Sequence, residues 1–84
     1  MNNLVQRRIL LDGTWQALVN APLIATVDIS CLPGNSSPVW FLGDDGSEVP
    51  WLPGEWHQVV SVDLAAIRVR GTVGDAITVI GGTW

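Results

Sequence analysis

The chain contains one histidine and one cysteine, and these two residues are the first candidates for nucleophilic chemistry. His57, Ser61 and Asp63 fall on one face of a predicted strand and have the residue types of a hydrolytic triad. Four residues of strand, however, separate His57 from Ser61 by about 13 Å, which is too far for a hydrogen bond. A Cys31–His57 dyad stays open, although no flanking signature supports it. We therefore expect a non-enzymatic protein in which His57 lies at a surface or interface beside Trp56.

Three acidic residues in one predicted turn are the next candidates. Asp44, Asp45 and Glu48 could hold a divalent cation through oxygen ligands, but their spacing does not match an EF-hand, and a solvated acidic turn is the simpler interpretation. One histidine and one cysteine leave half of a tetrahedral zinc site empty. The chain has no lysine for a Walker-type phosphate loop. We expect neither a metal nor a cofactor.

The tryptophan content is unusual for so short a chain. Five tryptophans occur among 84 residues, and they are Trp15, Trp40, Trp51, Trp56 and Trp84. Each would bury on the order of 200 Å², whereas a domain of this size buries only about 60–65% of the surface that its unfolded chain exposes. We therefore expect some of these side chains to lie at a surface that a partner covers.

Trp40, Trp51 and Trp56 flank one predicted hairpin and the turn that follows it. Apolar sugar faces stack on indole rings, so these three residues could form a platform for a carbohydrate. A position in the core or at a subunit interface is the simpler interpretation. Together with His57 and Trp84, they are our candidates for interface or ligand-binding residues.

Trp84 follows two glycines and a threonine at the end of the sequence. A free terminus frays unless something ties it down. We predict that this indole docks as an anchor in a pocket of a neighbouring subunit or another partner. The alternative is that Trp84 folds back and caps its own domain.

The hydrophobic pattern predicts strands along most of the chain. Apolar and polar residues alternate through residues 23–31, as in a half-buried antiparallel strand. Residues 4–11 fit either a strand or a short helix, and we favour a strand. The tally is about six to eight short strands with turn signals roughly every 8–12 residues. This pattern indicates a single all-β domain over residues 1–84, a small antiparallel sandwich or barrel that is jelly-roll-like.

Two hairpins are predicted from turn residues. Residues 39–42 and 48–52 flank a Gly-Asp-Asp-Gly turn, and Pro50 indicates an edge strand or a bulge there. The stronger signal joins residues 67–70 to residues 76–80 through a glycine-containing loop. Its symmetric register places Val69 opposite Ile77 and Ile67 opposite Val79 on the buried side, with Arg68 opposite Thr78 and Arg70 opposite Ala76 on the other side. The predicted core is Val27, Ile29, Val60, Val62, Ile67, Val69, Ile77 and Val79.

The charge of the chain limits the classes of molecule that it is expected to bind. The formal net charge is −4 and only 14% of residues are charged. The lack of basic clusters argues against nucleic-acid binding.

No run approaches the ~20 apolar residues of a membrane span, and the first residues lack a signal-peptide layout, so we expect assembly in a cytoplasm. Lysine usually protects sheet edges; without it, we expect the edges to be closed or paired with another chain.

The second half of the chain carries a series of turn and strand motifs beginning at Asn35. They are Pro38-Val39-Trp40-Phe41-Leu42-Gly43, Leu52-Pro53-Gly54-Glu55, Val62-Asp63-Leu64, Ile67-Arg68-Val69, Gly71, Gly74-Asp75 and Ile77-Thr78-Val79. This pattern resembles small β-rich virion proteins of tailed bacteriophages, such as capsid decoration (cement), head-fibre or collar components. The tryptophan density departs from the usual pattern of such chains.

The resemblance implies a structural virion protein with no catalytic residues. We therefore predict a homo-oligomer that binds other virion proteins, is assembled in the host cytoplasm and is located in the virion. The alternative is a small carbohydrate-binding, host-recognising module that uses its tryptophans.

Overall fold

The computed structural model describes residues 3–83 and shows an all-β sandwich. The strands in this part of the chain are β1 (Leu4–Leu10), β2 (Gln16–Ala17), β3 (Ile24–Cys31), β4 (Val39–Leu42), β5 (Glu48–Trp51), β6 (Trp56–Asp63), β7 (Arg68–Arg70) and β8 (Ala76–Gly82). They form a first sheet of order β1-β8-β3-β6 and a second sheet of order β2-β7-β4-β5, and every pairing is antiparallel. The predicted antiparallel sandwich is confirmed, as is the strand favoured for residues 4–11.

The core lies between the two sheets and follows the period-2 alternation of the strands. In β3, Val27 and Ile29 are each 1% exposed, and their neighbours on the other side of the strand are not buried. The second sheet contributes Val39, Phe41 and Val69 to the same core. A single 3-10 turn, Leu64–Ala66, follows β6, and its Leu64 is completely buried. The buried apolar cluster of the described residues therefore lies between the two sheets.

The hairpin predicted for residues 67–80 is wrong. β7 pairs with β2 and β4 in the second sheet, whereas β8 pairs with β1 and β3 in the first sheet. Arg68 lies opposite Ala17 and Arg70 opposite Trp40, so neither faces β8. Val69 and Ile77 are both buried, but they enter the core from opposite sheets.

The loop between β7 and β8 shows why the strands separate. Gly71 packs so closely on Leu11 that a Cβ atom would overlap its Cδ1 methyl group, whereas Gly74 turns the chain with a φ of 94°. The alternation of apolar and polar residues predicts which side of a strand is buried. It does not distinguish two strands of one hairpin from two strands of opposite sheets, because both show the same alternation. The buried face was therefore predicted correctly and the strand partner was not.

A β-bulge in β6 changes another prediction. Val27 pairs with Val59 and Ala25 with Val62, so β6 has one residue more than β3 between these pairs. Ser61, in the bulge, has a φ of 52°. Val60 follows the inward-facing Val59 and is 65% exposed rather than in the core, which corrects the sequence-based prediction; the bulge lets Val62 face the core instead. Val62 and Ile67 are half-buried, and the other five predicted core residues are buried.

The hairpin predicted around residues 43–46 is confirmed. β4 and β5 pair from Val39–Trp51 to Leu42–Glu48, and Gly46 has the positive φ, 86°, that the turn requires. Pro50 lies in β5, an edge strand of the second sheet, as predicted from its missing N–H group. The other edge strands are β2, β1 and β6. Because the described strands form two open sheets rather than one closed barrel, pairing with another chain stays a prediction.

Candidate functional site

His57 takes part in no triad. Its Nε2 atom lies 2.6 Å from a carboxylate oxygen of Glu55, and its ring packs edge-on against Trp51 with centroids 4.7 Å apart. The hydrogen bond to His57, followed by that from the Leu52 N–H group, lowers the pKa of Glu55. The Asp63 carboxylate accepts from the backbone N–H groups of Leu23 and Ala65, and Ser61 donates its backbone N–H to Thr26 Oγ1.

Cys31 is a buried thiol at the end of β3. It is 1% exposed, and burial, followed by the negative charge of Glu55, raises its pKa to about 11. Only the thiolate is a strong nucleophile, so this side chain is unreactive near neutral pH.

The acidic turn is held by its own hydrogen bonds. Asp45 Oδ1 accepts the Ser47 N–H at 2.9 Å, and its hydrogen bonds to Ser47 lower the pKa of Asp45. Glu48 instead pairs with Arg70 at 2.8 Å. Within residues 3–83, no three histidine, cysteine, aspartate or glutamate side chains are grouped as a metal site.

The structure separates the three tryptophans of the proposed platform. Trp40 alternates with the buried Val39 and Phe41, so it lies on the outer face of the second sheet. Trp51 turns towards the core and stacks on Phe41, with ring centroids 3.7 Å apart and an interplanar angle of 18°. Trp56 is 60% exposed on β6 of the first sheet. The structure thus brings Trp51 and His57 together, but not Trp40 or Trp56, and Trp84 lies outside the described residues.

A cleft of about 330 Å³ lies beside Trp40. Its lining residues are Gly13, Ser37, Pro38, Trp40, Arg70, Gly71 and Thr72. Arg70 is held from two sides, by Glu48 at 2.8 Å and by Trp15, whose ring centroid is 4.9 Å from the guanidinium carbon. The Ser37 and Thr72 hydroxyl oxygens are 2.5 Å apart. The cleft therefore combines an indole, a fixed guanidinium group and two hydroxyls.

Asp75 fixes the loop that carries one wall of the cleft. It is 7% exposed, and its carboxylate accepts from the Ser36 N–H at 2.9 Å, the Ser36 hydroxyl at 3.0 Å and the Ser37 N–H at 3.3 Å. The Ser36 N–H makes the largest contribution to lowering the pKa of Asp75. Asn35 adds two hydrogen bonds to the backbone of Ala76. Ser37 is therefore held in place at the cleft.

The outer face of the first sheet exposes several large apolar residues among polar ones. Six large apolar residues at outward-facing strand positions are between 50% and 70% exposed, and we call them the outer apolar face: Leu4, Leu10, Ile24, Trp56, Val60 and Ile80. The strand registers place polar residues between them on the same face, as is usual for an antiparallel sheet that faces water: Gln6, Arg8, Thr26, Asp28, Ser30, Gln58 and Thr78. Six large apolar side chains left exposed on one face of so small a domain are candidates for contact with another molecule.

Sequence reasoning missed the cleft and the outer apolar face. Trp40 and Arg70 meet because β4 pairs with β7, whereas the sequence predicted β8 as the partner of β7. Val60 faces outward with Trp56 and Gln58, and the bulge in β6 turns Val62 inward instead. No local sequence signal reports either relation, although the surplus of tryptophan predicted that some apolar surface would stay exposed.

No match to this chain was found among models of known protein families, curated protein sequences or solved structures. Among residues 3–83, no helix is long and apolar enough to cross a bilayer.

Proposed function

We propose that this chain is a non-enzymatic structural protein that associates with itself and with a larger particle, as a decoration, head or collar component of a bacteriophage virion. The observation that carries the proposal is the outer apolar face. A freely soluble monomer gains nothing from six large apolar side chains exposed on one sheet face, whereas an assembly subunit can bury them against its neighbours.

Two further observations support a role without catalysis. His57 is bonded to Glu55 rather than to a nucleophile, and the raised pKa of Cys31 keeps this thiol protonated near neutral pH. The candidate nucleophiles and the one candidate base are therefore not assembled into a dyad or triad.

The virion assignment rests on the sequence resemblance that begins at Asn35. In this role the protein would be assembled in the host cytoplasm and bind other virion proteins. The test is quantitative mass spectrometry of virions purified from infected host cells, in which the chain is expressed from the phage genome. We expect the chain in a fixed ratio to the major capsid protein, and its absence from purified particles would contradict the proposal.

Carbohydrate binding at the cleft is the second candidate function. It is favoured by the combination of Trp40, on which a sugar ring could stack, with Arg70 and two hydroxyls that can bond to sugar hydroxyls. This candidate differs from the platform proposed from the sequence, because Trp51 and Trp56 lie elsewhere.

A glycan panel combined with tryptophan fluorescence tests this second function. Binding that quenches the fluorescence should be lost in Trp40→Ala but retained in Trp56→Ala, which is outside the cleft. The absence of any binding on the panel, or equal loss in both variants, would contradict the carbohydrate function and leave the structural one untouched.

A further inference from the structure

We propose that β6 is the edge through which two copies of this chain pair, antiparallel and about a two-fold axis at Gln58. The first sheet of one copy and the first sheet of the other then form one continuous sheet of eight strands. The proposal rests on the self-association in the proposed function and names the surface that performs it.

The four edge strands differ in how they resist pairing. β1 carries Arg7 and Arg8, β5 carries Glu48 and Pro50, and β2 has only two residues. Charge, proline and short length are the usual means of protecting an edge. Residues 56–62 of β6, in contrast, contain no Asp, Glu, Lys, Arg or Pro. β6 has a bulge at Ser61 and ends on Asp63, so its regular part, residues 56–60, is the edge best suited to pairing with another strand.

The backbone of β6 presents free hydrogen-bonding groups. The Cys31 N–H bonds to the Glu55 carbonyl at 2.9 Å, so this carbonyl points towards β3, whereas the Glu55 N–H bonds to the Leu52 carbonyl in the preceding turn. In an antiparallel pair these directions alternate along the strand, and the N–H and C=O groups of Trp56 and Gln58 consequently point to the free edge. The bulge at Ser61 ends this regular stretch, which restricts pairing to the part of β6 centred on Gln58.

A two-fold axis at Gln58 makes the exposed side chains complementary. It places Trp56 of one copy opposite Val60 of the other, and these residues are 60% and 65% exposed on the same face. Aromatic and β-branched side chains form favourable cross-strand pairs. Glu55 would lie opposite Ser61 of the second copy, so the pairing brings no two like charges together.

The available area agrees with a weak dimer. The stretch of β6 that can pair, residues 55–61, is about 23 Å long, and the shortest dimension of the molecule is 20 Å. This side of the sandwich offers roughly 450 Å² of projected area per copy, below the limit of about 600 Å² per partner that is typical of specific, stable interfaces. We therefore expect a dimer that dissociates on dilution, at micromolar concentration.

The decisive experiment is disulfide trapping with Gln58→Cys. In a hydrogen-bonded antiparallel pair the two Cα atoms are about 5.5 Å apart, within the range that a disulfide spans. We expect rapid oxidation to a covalent dimer. Gln6→Cys is the matched control, because Gln6 is an exposed glutamine on an outward-facing position of β1, the opposite edge of the same sheet. The native Cys31 is buried and does not compete.

Two charge substitutions distinguish self-association through the β6 edge from self-association through the rest of the outer apolar face. Val60→Asp should weaken self-association by about tenfold or more, whereas Ile80→Asp, on the central strand β8, should leave an edge dimer intact. Equal cross-linking of the two cysteine variants, or loss of association only in Ile80→Asp, would overturn the β6 dimer while self-association remained. A monomeric protein would overturn it as well, and detection of the chain in purified particles would then show that the virion role survives.

Discussion

At the scale of single residues, the Asp75 carboxylate ties the loop before β4 to the turn before β8. It accepts three hydrogen bonds from Ser36 and Ser37, and these bonds lower its pKa. Because the unfolded chain takes up this proton at a higher pH than the folded chain, the stabilisation is complete above about pH 4. It is lost as the pH falls through the lower pKa of the folded state.

We therefore predict that Asp75→Ala lowers the Tm by several degrees at pH 7, and that this difference shrinks as the pH falls below the ordinary carboxyl range. Circular dichroism melting at pH 7, 5 and 3 measures it. Asp44→Ala, at an exposed carboxylate of the 43–46 turn, is the control and should change the Tm little. A Tm difference for Asp75→Ala that does not vary with pH would contradict the assigned role of the ionised carboxylate.

At the scale of the elements, β8 is the central strand that joins β1 to β3, and its two isoleucines face opposite sides. Ile77 is completely buried, whereas Ile80 is 50% exposed on the outer apolar face. We predict that Ile77→Ala lowers the free energy of unfolding by about 2–5 kcal/mol, a large part of the total for so small a domain. Ile80→Ala, measured by urea denaturation below the concentration of self-association, should cost less than about 1 kcal/mol. Equal losses would show that the assignment of inner and outer faces is wrong.

The close approach of β3 and β8 depends on Gly81. A Cβ atom at this position would overlap the Thr26 carbonyl oxygen and approach the Val27 Cα atom to 2.6 Å. These are backbone atoms of a paired strand and cannot move aside without breaking hydrogen bonds of the sheet. We predict that Gly81→Ala lowers the Tm strongly, whereas Gly34→Ala, where a Cβ atom meets nothing within 4 Å, leaves it unchanged or slightly raised. An unchanged Tm in Gly81→Ala would contradict this packing.

The elements that the sequence predicted correctly are those that depend on local signals. The alternation of β3 and the glycine-containing turn of the β4–β5 hairpin both follow from neighbouring residues. The sheet to which β7 belongs does not follow from neighbouring residues. Val69 would be buried in a β7–β8 hairpin, and it is equally buried in the second sheet. The bulge at Ser61 also has no signal in the sequence, and because of it Val62 faces the core although Val60, two residues earlier, faces outward. The sheet of β7 and the bulge in β6 both depend on pairing between strands that are distant in sequence. The cleft residues Trp40 and Arg70 also meet only through such a pairing.

At the scale of the whole molecule, the sandwich is covered unevenly. The core between the sheets is closed by side chains from both sides, whereas the outer face of the first sheet keeps six large apolar residues in contact with solvent. Three edge strands carry charge, proline or short length against pairing, whereas β6 is protected only near its end, by the bulge at Ser61 and by Asp63. The charge is sparse and contains no lysine, so little on the surface opposes association. These features together favour a subunit of an assembly over a protein that acts alone.

Self-association is the central claim, and the mass of the protein in solution tests it most directly. We predict that sedimentation equilibrium, run from micromolar to submillimolar concentration, gives a mass that rises from the 9.0 kDa of one chain towards at least twice that value. Reversibility on dilution would distinguish this association from aggregation. A mass that stays at 9.0 kDa over the whole range would contradict the claim.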